Sequence, residues 1–224
     1  MQRGRRLHDG SFDRADHQMN PVYESVMGAR KMTKPDTRSR LLDAAERQVR
    51  QKGADGFSYS DLSAEVGIRK ASIHYHFPAK SDLLHAIMAR YAKQVAMTLE
   101  RYAIAMPLPR QALIAFVRFY RQALQEGHGL CLCVAFTVGL DALSPETRQE
   151  ICQFRATVQS WLELRFEQLR AEGSDTGWSA EPKAEAAATL ALVEGAQLVA
   201  RSSANLVPFD AATASFLERL KAGG

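Results

Sequence analysis

Hydrogen-bond donors are concentrated in residues 69–75 of this chain. They are hydroxyl, guanidinium, ammonium and imidazole groups, which proteins direct at DNA phosphates and at base edges in the major groove. The donor side chains are Arg69, Lys70, Ser72, His74 and Tyr75. These side chains can reach phosphates and base edges, although on an isolated helix they would be an ordinary exposed surface.

Two short helices joined by a tight turn are predicted to position these donors. Ser58 stands where a helix N-cap belongs, and Gly67 ends that helix with the positive φ that other residues resist. A second helix over residues 69–76 is closed by Phe77-Pro78, because proline disfavours helical geometry in the preceding residue. The residues predicted to bury the crossing are Leu62, Val66, Ile68 and Ile73. The pattern predicts a helix-turn-helix whose recognition helix is 69–76.

The flanking sequence also has helical spacing. Apolar residues predict a first helix over residues 36–52, and a long helix runs from Ser81 to about Ala105. Later stretches read as helices, with breaks at residues 127–129, 144–145, 173–181 and 207–208. The fold is therefore predicted to be all-α, with a three-helix helix-turn-helix domain followed by a larger bundle of about six helices.

Residues 37–84 resemble the TetR/AcrR family of transcriptional regulators. That family has an N-capped helix, an Ala-Gly-Val turn, a recognition helix ending in Tyr-x-His-Phe, a Pro-x-Lys turn and a leucine-rich helix. The matching positions are Ser58, Val66-Gly67-Ile68, His74-Tyr75-His76-Phe77, Pro78-Ala79-Lys80 and Leu83-Leu84. The resemblance implies a sequence-specific regulator, usually a repressor that a small-molecule inducer releases from its operator.

The resemblance also implies a role for each donor. Ser58 and Tyr59 would touch phosphate at the start of the second helix. The groove-facing set would be Arg69, Lys70 and Ser72, and the set holding the DNA backbone would be His74, Tyr75 and Lys80. Because His74 replaces the family's phosphate-binding tyrosine and Tyr75 follows it, the residue that makes this contact stays open.

Three segments are expected along the chain. Residues 1–35 are a disordered extension or the product of a start codon placed too early, residues 36–80 bind DNA, and residues 81–224 sense a ligand and dimerise. An inverted-repeat operator on double-stranded DNA requires two recognition helices, and therefore a homodimer. The resemblance places the dimer contact on the last two helices, about residues 181–222.

Small and apolar residues in these last helices permit such a contact, because another helix can approach them closely. The first helix contributes Ala186, Ala187, Leu190, Val193, Glu194, Ala196, Gln197 and Ala200, and the second contributes Phe209, Phe216, Leu217 and Leu220. The alternative is that both helices only complete the core of one chain.

The resemblance implies a pocket for an unknown small-molecule effector in the region from Ser81 to Gly173. Large apolar and polar side chains there are candidate ligand contacts, although each is also a normal core residue. The candidates are Tyr91, Phe116, Tyr120, His128, Phe136 and Trp161.

Cys131 and Cys133 raise a second hypothesis. They follow a glycine-rich loop at the predicted start of a helix, where free amides and the helix dipole favour thiolate. A repressor that responds to electrophiles or oxidants through Cys131 is therefore an alternative. A metal site is less attractive, because residues two apart on a helix point to nearly opposite sides. Cys152 is expected to be a buried small hydrophobe.

Composition and the absence of catalytic motifs limit the other classes of protein that fit this sequence. The net charge of +4 permits DNA binding but also fits many enzymes. Three cysteines and the lack of a long apolar stretch favour the cytoplasm and no membrane contact. A helical enzyme is a remote alternative, since phosphate-loop, metalloprotease and serine-hydrolase motifs are missing. No cofactor or metal is expected.

Overall fold

The computed structural model describes residues 36–125, 129–137, 139–140, 143–173 and 181–222. Within these ranges the regular elements are nine helices and no strand, so the all-α prediction is confirmed. The helices are α1 (Thr37–Lys52), α2 (Tyr59–Val66), α3 (Lys70–His76), α4 (Lys80–Ala105), α5 (Pro109–Gln125), α6 (Leu132–Thr137), α7 (Pro145–Ala171), α8 (Pro182–Ser202) and α9 (Val207–Ala222).

Most predicted boundaries agree with the structure to within one or two residues. The exception is residues 207–208, which were expected to interrupt a helix. Val207 instead begins α9, and Pro208 lies in its first turn. Proline is tolerated there because an amide in the first turn of a helix has no partner within the helix.

Helices α1 to α3 form the N-terminal unit, whose small core is built from aliphatic side chains. Leu41, Leu62 and Ile73 are fully buried, one from each helix. Asp36 caps α1 by accepting a hydrogen bond of 2.6 Å from the amide of Ser39. Burial of this apolar surface holds α3 against α1 and α2 and leaves the opposite side of α3 exposed.

Helices α4 to α9 form the bundle. α4 has 26 residues and therefore extends about 39 Å. The core of the bundle is aromatic and aliphatic. The largest fully buried side chains there include Tyr120, Phe116, Phe136, Phe209, Met88 and Leu113. No helix in the described part of the chain combines the length and hydropathy needed to cross a membrane.

An ion-pair network joins α1 to α4. Arg90 of α4 lies 2.6 Å from a carboxylate oxygen of Asp43 and 2.8 Å from one of Glu46. The same Glu46 also pairs with the buried Arg50 at 2.8 Å. Because Arg90 contacts two carboxylates of α1 and Glu46 contacts two guanidinium groups, α4 and α1 are fixed relative to each other.

Arg50 also links α1 to the bundle. Its guanidinium donates to the carbonyl of Leu130 and lies 5.0 Å from the centre of the Tyr91 ring. In return, Arg201 of α8 donates to the carbonyl of Arg50 and, at 2.7 Å, to that of Gln51. We refer to Glu46, Arg50, Arg90 and Arg201 as the α1 junction.

Candidate nucleic-acid interface

The start of α2 is closed by a reciprocal cap. The Ser58 oxygen accepts from the amides of Ser60 at 3.2 Å and Asp61 at 3.4 Å, and Asp61 accepts from the Ser58 amide at 2.7 Å. The Ser58 hydroxyl also donates to Asp61 at 2.7 Å. These bonds lower the pKa of Asp61. The hydroxyl is therefore occupied, and the Tyr59 amide at the first helical position is the donor left for an anion.

Gly67 makes the turn between α2 and α3, as the sequence predicted. Its φ of 71° and ψ of 39° lie in the left-handed region, and its amide donates to Ser63 at 3.0 Å. The Ser63 hydroxyl also bonds to the carbonyl of Ile68. The turn is thus fixed by backbone conformation and by a side chain, which sets the direction of α3.

The outer side of α3 is exposed. Ile73 faces the core, and the predicted donors around it point to solvent: Arg69, Lys70, Ser72, His74 and Tyr75. Arg69 is the N-cap of α3 rather than its first residue. Tyr75 is 85% exposed, and its hydroxyl makes no hydrogen bond with any residue that the structure describes. The helix therefore presents a continuous donor surface.

His74 and Tyr59 are engaged within the N-terminal unit. The Nδ1 atom of His74 lies 3.2 Å from the carbonyl of Pro78, and its ring packs edge-on against Tyr59 with centroids 4.9 Å apart. The Tyr59 hydroxyl donates to the carbonyl of Phe77 at 2.9 Å. Burial and the charge of Asp82 raise the pKa of Tyr59 to about 12. The Tyr59 O–H is thus a structural donor, whereas that of Tyr75 is available.

Lys80 is also a tether. Its ammonium group donates to the carbonyl of Phe57 at 2.6 Å and lies 4.4 Å from the centre of the Phe57 ring. Burial lowers the pKa of Lys80. The bond ties the chain before α2 to the start of α4, and it leaves two N–H groups for other acceptors.

The candidate effector residues lie mostly in one core. Phe116, Tyr120 and Phe136 are buried, and the Phe116 ring stacks on Trp161 with centroids 5.9 Å apart. The Trp161 indole donates to the carbonyl of Leu99 at 3.0 Å. The Tyr120 hydroxyl is buried without a hydrogen-bond partner among the described residues. His128 lies outside them.

Cys131 and Cys133, hereafter the sulfur pair, are both buried. The sequence argument placed both cysteines on one helix, but Cys131 precedes α6 and only Cys133 lies within it. The Tyr91 hydroxyl lies 3.2 Å from the Cys131 sulfur. The expectation for Cys152 is also wrong, since this residue is exposed.

The pKa values of the two thiols are shifted in opposite directions. Burial raises the pKa of Cys131, but hydrogen bonds from Cys133 and Tyr91 and the charge of Arg50 outweigh it and bring the pKa down to about 7. The interaction with Cys131 raises the pKa of Cys133 well above its usual value, and burial adds to the effect. Cys131 is therefore the nucleophilic member of the pair.

The sequence did not reveal the polar side chains that contact the sulfur pair. Arg155 of α7 donates to the Cys133 sulfur at 3.1 Å and pairs with Glu194 at 3.0 Å. Gln197 of α8 accepts from the Cys131 amide at 2.9 Å. No local motif marks these residues, because they come from helices distant in sequence.

The predicted small-residue stripe on α8 lies mainly in the chain's own core. The stripe residues that are buried within one chain are Ala186, Leu190, Val193, Ala196, Gln197 and Ala200, together with Phe209, Phe216 and Leu220 of α9. Ala187 is exposed, whereas Glu194 and Leu217 are half-buried. The assignment of this stripe to a partner is thus wrong for most members, and the alternative of a monomer core holds for them.

A capped helix, a left-handed glycine turn and an exposed donor-rich helix define a helix-turn-helix DNA-binding protein. The family model for bacterial regulatory proteins of the tetR family matches residues 41–87. The HTH-type transcriptional regulator LmrA of Bacillus subtilis is 29% identical over 189 residues, which cover 79% of this chain and 93% of LmrA. The HTH-type transcriptional repressor NemR of Escherichia coli K12 is 28% identical, covering 82% of this chain and 94% of NemR.

Solved structures of TetR-family regulators have a similar fold. A TetR-family regulator from Agrobacterium tumefaciens superposes with a TM-score of 0.78 at 28% identity, covering 81% of this chain and 96% of that one. The reduced form of Escherichia coli NemR gives 0.69 at 26% identity, covering 84% and 97%. Residues 41–87 therefore match the tetR-family model, and the chain as a whole is similar in sequence and fold to DNA-binding transcriptional regulators of that family.

The structural role of Tyr59 gives the first prediction. Tyr59→Phe removes the bond to the Phe77 carbonyl, so we expect the free energy of unfolding to fall by about 1 kcal/mol in urea titrations. Tyr75→Phe makes the same chemical change at an exposed hydroxyl and is expected to leave stability unchanged. Equal stabilities of the two variants would contradict the assignment.

Proposed function

We propose that this regulator represses transcription as a dimer, whose two α3 helices enter successive major grooves of an inverted-repeat operator. An effector that binds in the bundle releases the dimer from this DNA. The observation that supports this most is the exposed donor surface of α3 on a rigid turn. The relative from Escherichia coli is named a repressor, which supports repression as the mode of action.

The contacts are assigned by which donors are available. Lys70 and Ser72 lie on the exposed side of α3 and read base edges, and Arg69 at the helix start reaches base or phosphate. His74 occupies the position of the family's phosphate-binding tyrosine, but Tyr75 makes this contact, because its hydroxyl is available while His74 is held by Pro78. Ser58, Tyr59 and Lys80 position the chain, with phosphate approaching the Tyr59 amide at the start of α2.

Dimerisation is assigned to the outer face of α8 and α9. One side of α8 carries a set of exposed residues, most of them small and three, four or seven positions apart. They are Ala184, Ala187, Ala188, Ala191, Leu198 and Ser202, and exposed Ala211, Ala212 and Ser215 continue the face on α9. A second copy of the chain fits this surface, because small side chains let helices approach closely.

The α1 junction provides the path from effector to DNA. Arg50 holds both the carbonyl before Cys131 and, through Glu46, Arg90 of α4. An effector that displaces the 129–131 loop or α4 therefore changes the position of α1 and of α3 packed on it. The population of DNA-binding dimers then shifts by at most the effector's differential affinity for the two states.

A second candidate function is thiol sensing at Cys131. The lowered pKa of this thiol favours it. In the reaction with a Michael acceptor, a bond forms between the Cys131 sulfur and the β-carbon, the π electrons move to the carbonyl, and the α-carbon takes a proton from water. The added group would separate Cys131 from Tyr91 and strain the loop that Arg50 holds.

DNA contacts are tested with an operator selected from random-sequence DNA by the purified protein. Lys70→Ala and Tyr75→Phe are each expected to weaken binding by about 1 to 3 kcal/mol in fluorescence anisotropy at fixed salt. Lys93→Ala removes an exposed lysine from α4 and serves as the matched control, with no expected change. Wild-type affinity in both α3 variants would remove the assignment.

The dimer face is tested by placing one charge on it. Leu198→Glu would bury an unpaired carboxylate between two copies, so we expect monomers in sedimentation velocity at micromolar concentration. Leu164→Glu on α7 is the control, because Leu164 is 44% exposed and Leu198 is 46% exposed. A dimer that survives in Leu198→Glu places the interface elsewhere.

Thiol sensing is tested by titrating N-ethylmaleimide against the DNA-bound protein. If Cys131 is the sensor, the wild type and Cys152→Ser dissociate from DNA together, whereas Cys131→Ser stays bound. Equal release of all three proteins, or no release of any, excludes this second candidate and leaves a reversible effector.

A further inference from the structure

One charged side chain lies on the core-facing side of α7. Buried residues that recur every three or four positions form a row along this helix. The uncharged members of the row are Thr147, Ile151, Phe154, Val158, Leu162 and Leu169. Arg165 occupies the place between Leu162 and Leu169 and is 6% exposed. A guanidinium group therefore stands where the packing of α7 otherwise uses uncharged side chains.

Arg165 has no anionic partner in the described part of the chain. Its guanidinium makes no ion pair or hydrogen bond with any residue that the structure describes, and its Nε atom is buried without an acceptor. Burial lowers the pKa of Arg165, whereas the buried Arg50 pairs with Glu46 at 2.8 Å. A buried charge without a counter-ion is costly, so Arg165 points to an anionic ligand.

An aromatic stack sets the position of this guanidinium. Its central carbon lies 5.4 Å from the centre of the Trp161 ring, which stacks on Phe116 with centroids 5.9 Å apart. The Arg165 side chain therefore folds back along α7 by about one turn. Of its three guanidinium nitrogens only Nε is fully buried, so the two terminal nitrogens are accessible to an anion.

A groove between α4 and α7 lies further back along the same row. It has a volume of about 270 Å³, and the buried side chains of Val95, Phe154 and Val158 line it. Val158 is three residues before Trp161, which is about 4.5 Å along the helix axis. The groove thus ends close to the ring on which the Arg165 guanidinium lies.

The groove and the guanidinium together define the chemistry of a ligand. A guanidinium group pairs with a carboxylate through two parallel hydrogen bonds. Phe154 in the groove and Trp161 beside it favour an aromatic ring, because aromatic pairs gain energy beyond their buried area. Lys93 and Glu150 also line the groove, and their opposite charges favour neither an anion nor a cation there.

We propose that Arg165 binds the carboxylate of a small aromatic acid whose ring lies in the groove between α4 and α7. The acid compensates the buried guanidinium. It also meets α4 next to the α1 junction, because Ala89 lines the groove and Arg90 follows it. The acid is thereby placed to act as the effector, and only this last role rests on the proposed repressor function.

The first experiment measures thermal unfolding without ligand, in a buffer free of organic anions. Arg165→Met puts an uncharged side chain of similar length in the row, so we expect the unfolding temperature to stay the same or to rise by about 2 to 4 °C. Arg90→Met is the matched control and is expected to unfold at a lower temperature, because it leaves Asp43 without its partner. A lower unfolding temperature for Arg165→Met means that its charge is already compensated, and it overturns the proposal.

The second experiment titrates benzoate against the protein at fixed ionic strength, with benzamide as the uncharged compound of the same shape. Trp178→Phe leaves Trp161 as the one tryptophan, whose fluorescence reports binding. Millimolar benzoate is expected to change this fluorescence and to raise the unfolding temperature, whereas benzamide changes neither. Arg165→Met is expected to weaken benzoate binding at least about 10-fold, and Lys93→Ala is expected to bind like the wild type.

Four outcomes of the titration overturn the proposal. They are no binding of benzoate, equal binding of benzamide, unchanged affinity in Arg165→Met, and loss of affinity in Lys93→Ala. Because DNA is not part of either experiment, failure of the acid site is distinct from failure of the proposed repressor function.

Discussion

The buried guanidinium of Arg50 is the interaction on which the arrangement of this regulator depends. Burial alone lowers the pKa of Arg50, but the neighbouring Tyr91 and Glu46 raise it, so the group stays charged inside the protein. Removing one partner from a buried ion pair costs about 3 to 5 kcal/mol, because the remaining charge is left uncompensated. Arg50 therefore fixes the end of α1 against α4 and against the loop before α6.

This constraint connects two sites that are far apart in the sequence. The carbonyl of Leu130 accepts from Arg50, and the next residue, Cys131, bonds to Tyr91, whose ring lies under the same guanidinium. Arg201 closes the arrangement by donating to the last carbonyls of α1. The loop that carries the sulfur pair is thus linked to α1 through direct contacts.

The donors around the helix-turn-helix divide into two groups with different physical roles. Tyr59, His74 and Lys80 bind carbonyls of Phe77, Pro78 and Phe57, and together they hold the segments on either side of α2 and α3 in place. Lys70, Ser72 and Tyr75 remain at the surface. The first group makes the recognition helix rigid, which lowers the entropy lost when the second group meets DNA.

The sequence by itself determined the all-α class, the helix-turn-helix and the left-handed Gly67, because caps, turns and helical periodicity depend on residues only a few positions apart. Tertiary structure alone decided that the Tyr59 hydroxyl bonds to Phe77, that Cys152 is exposed and that the α8 stripe lies in the chain's own core. It also brought Arg155, Gln197 and Tyr91 to the sulfur pair. These outcomes depend on packing between helices distant along the chain, and side-chain type and local spacing do not specify which neighbour a residue meets.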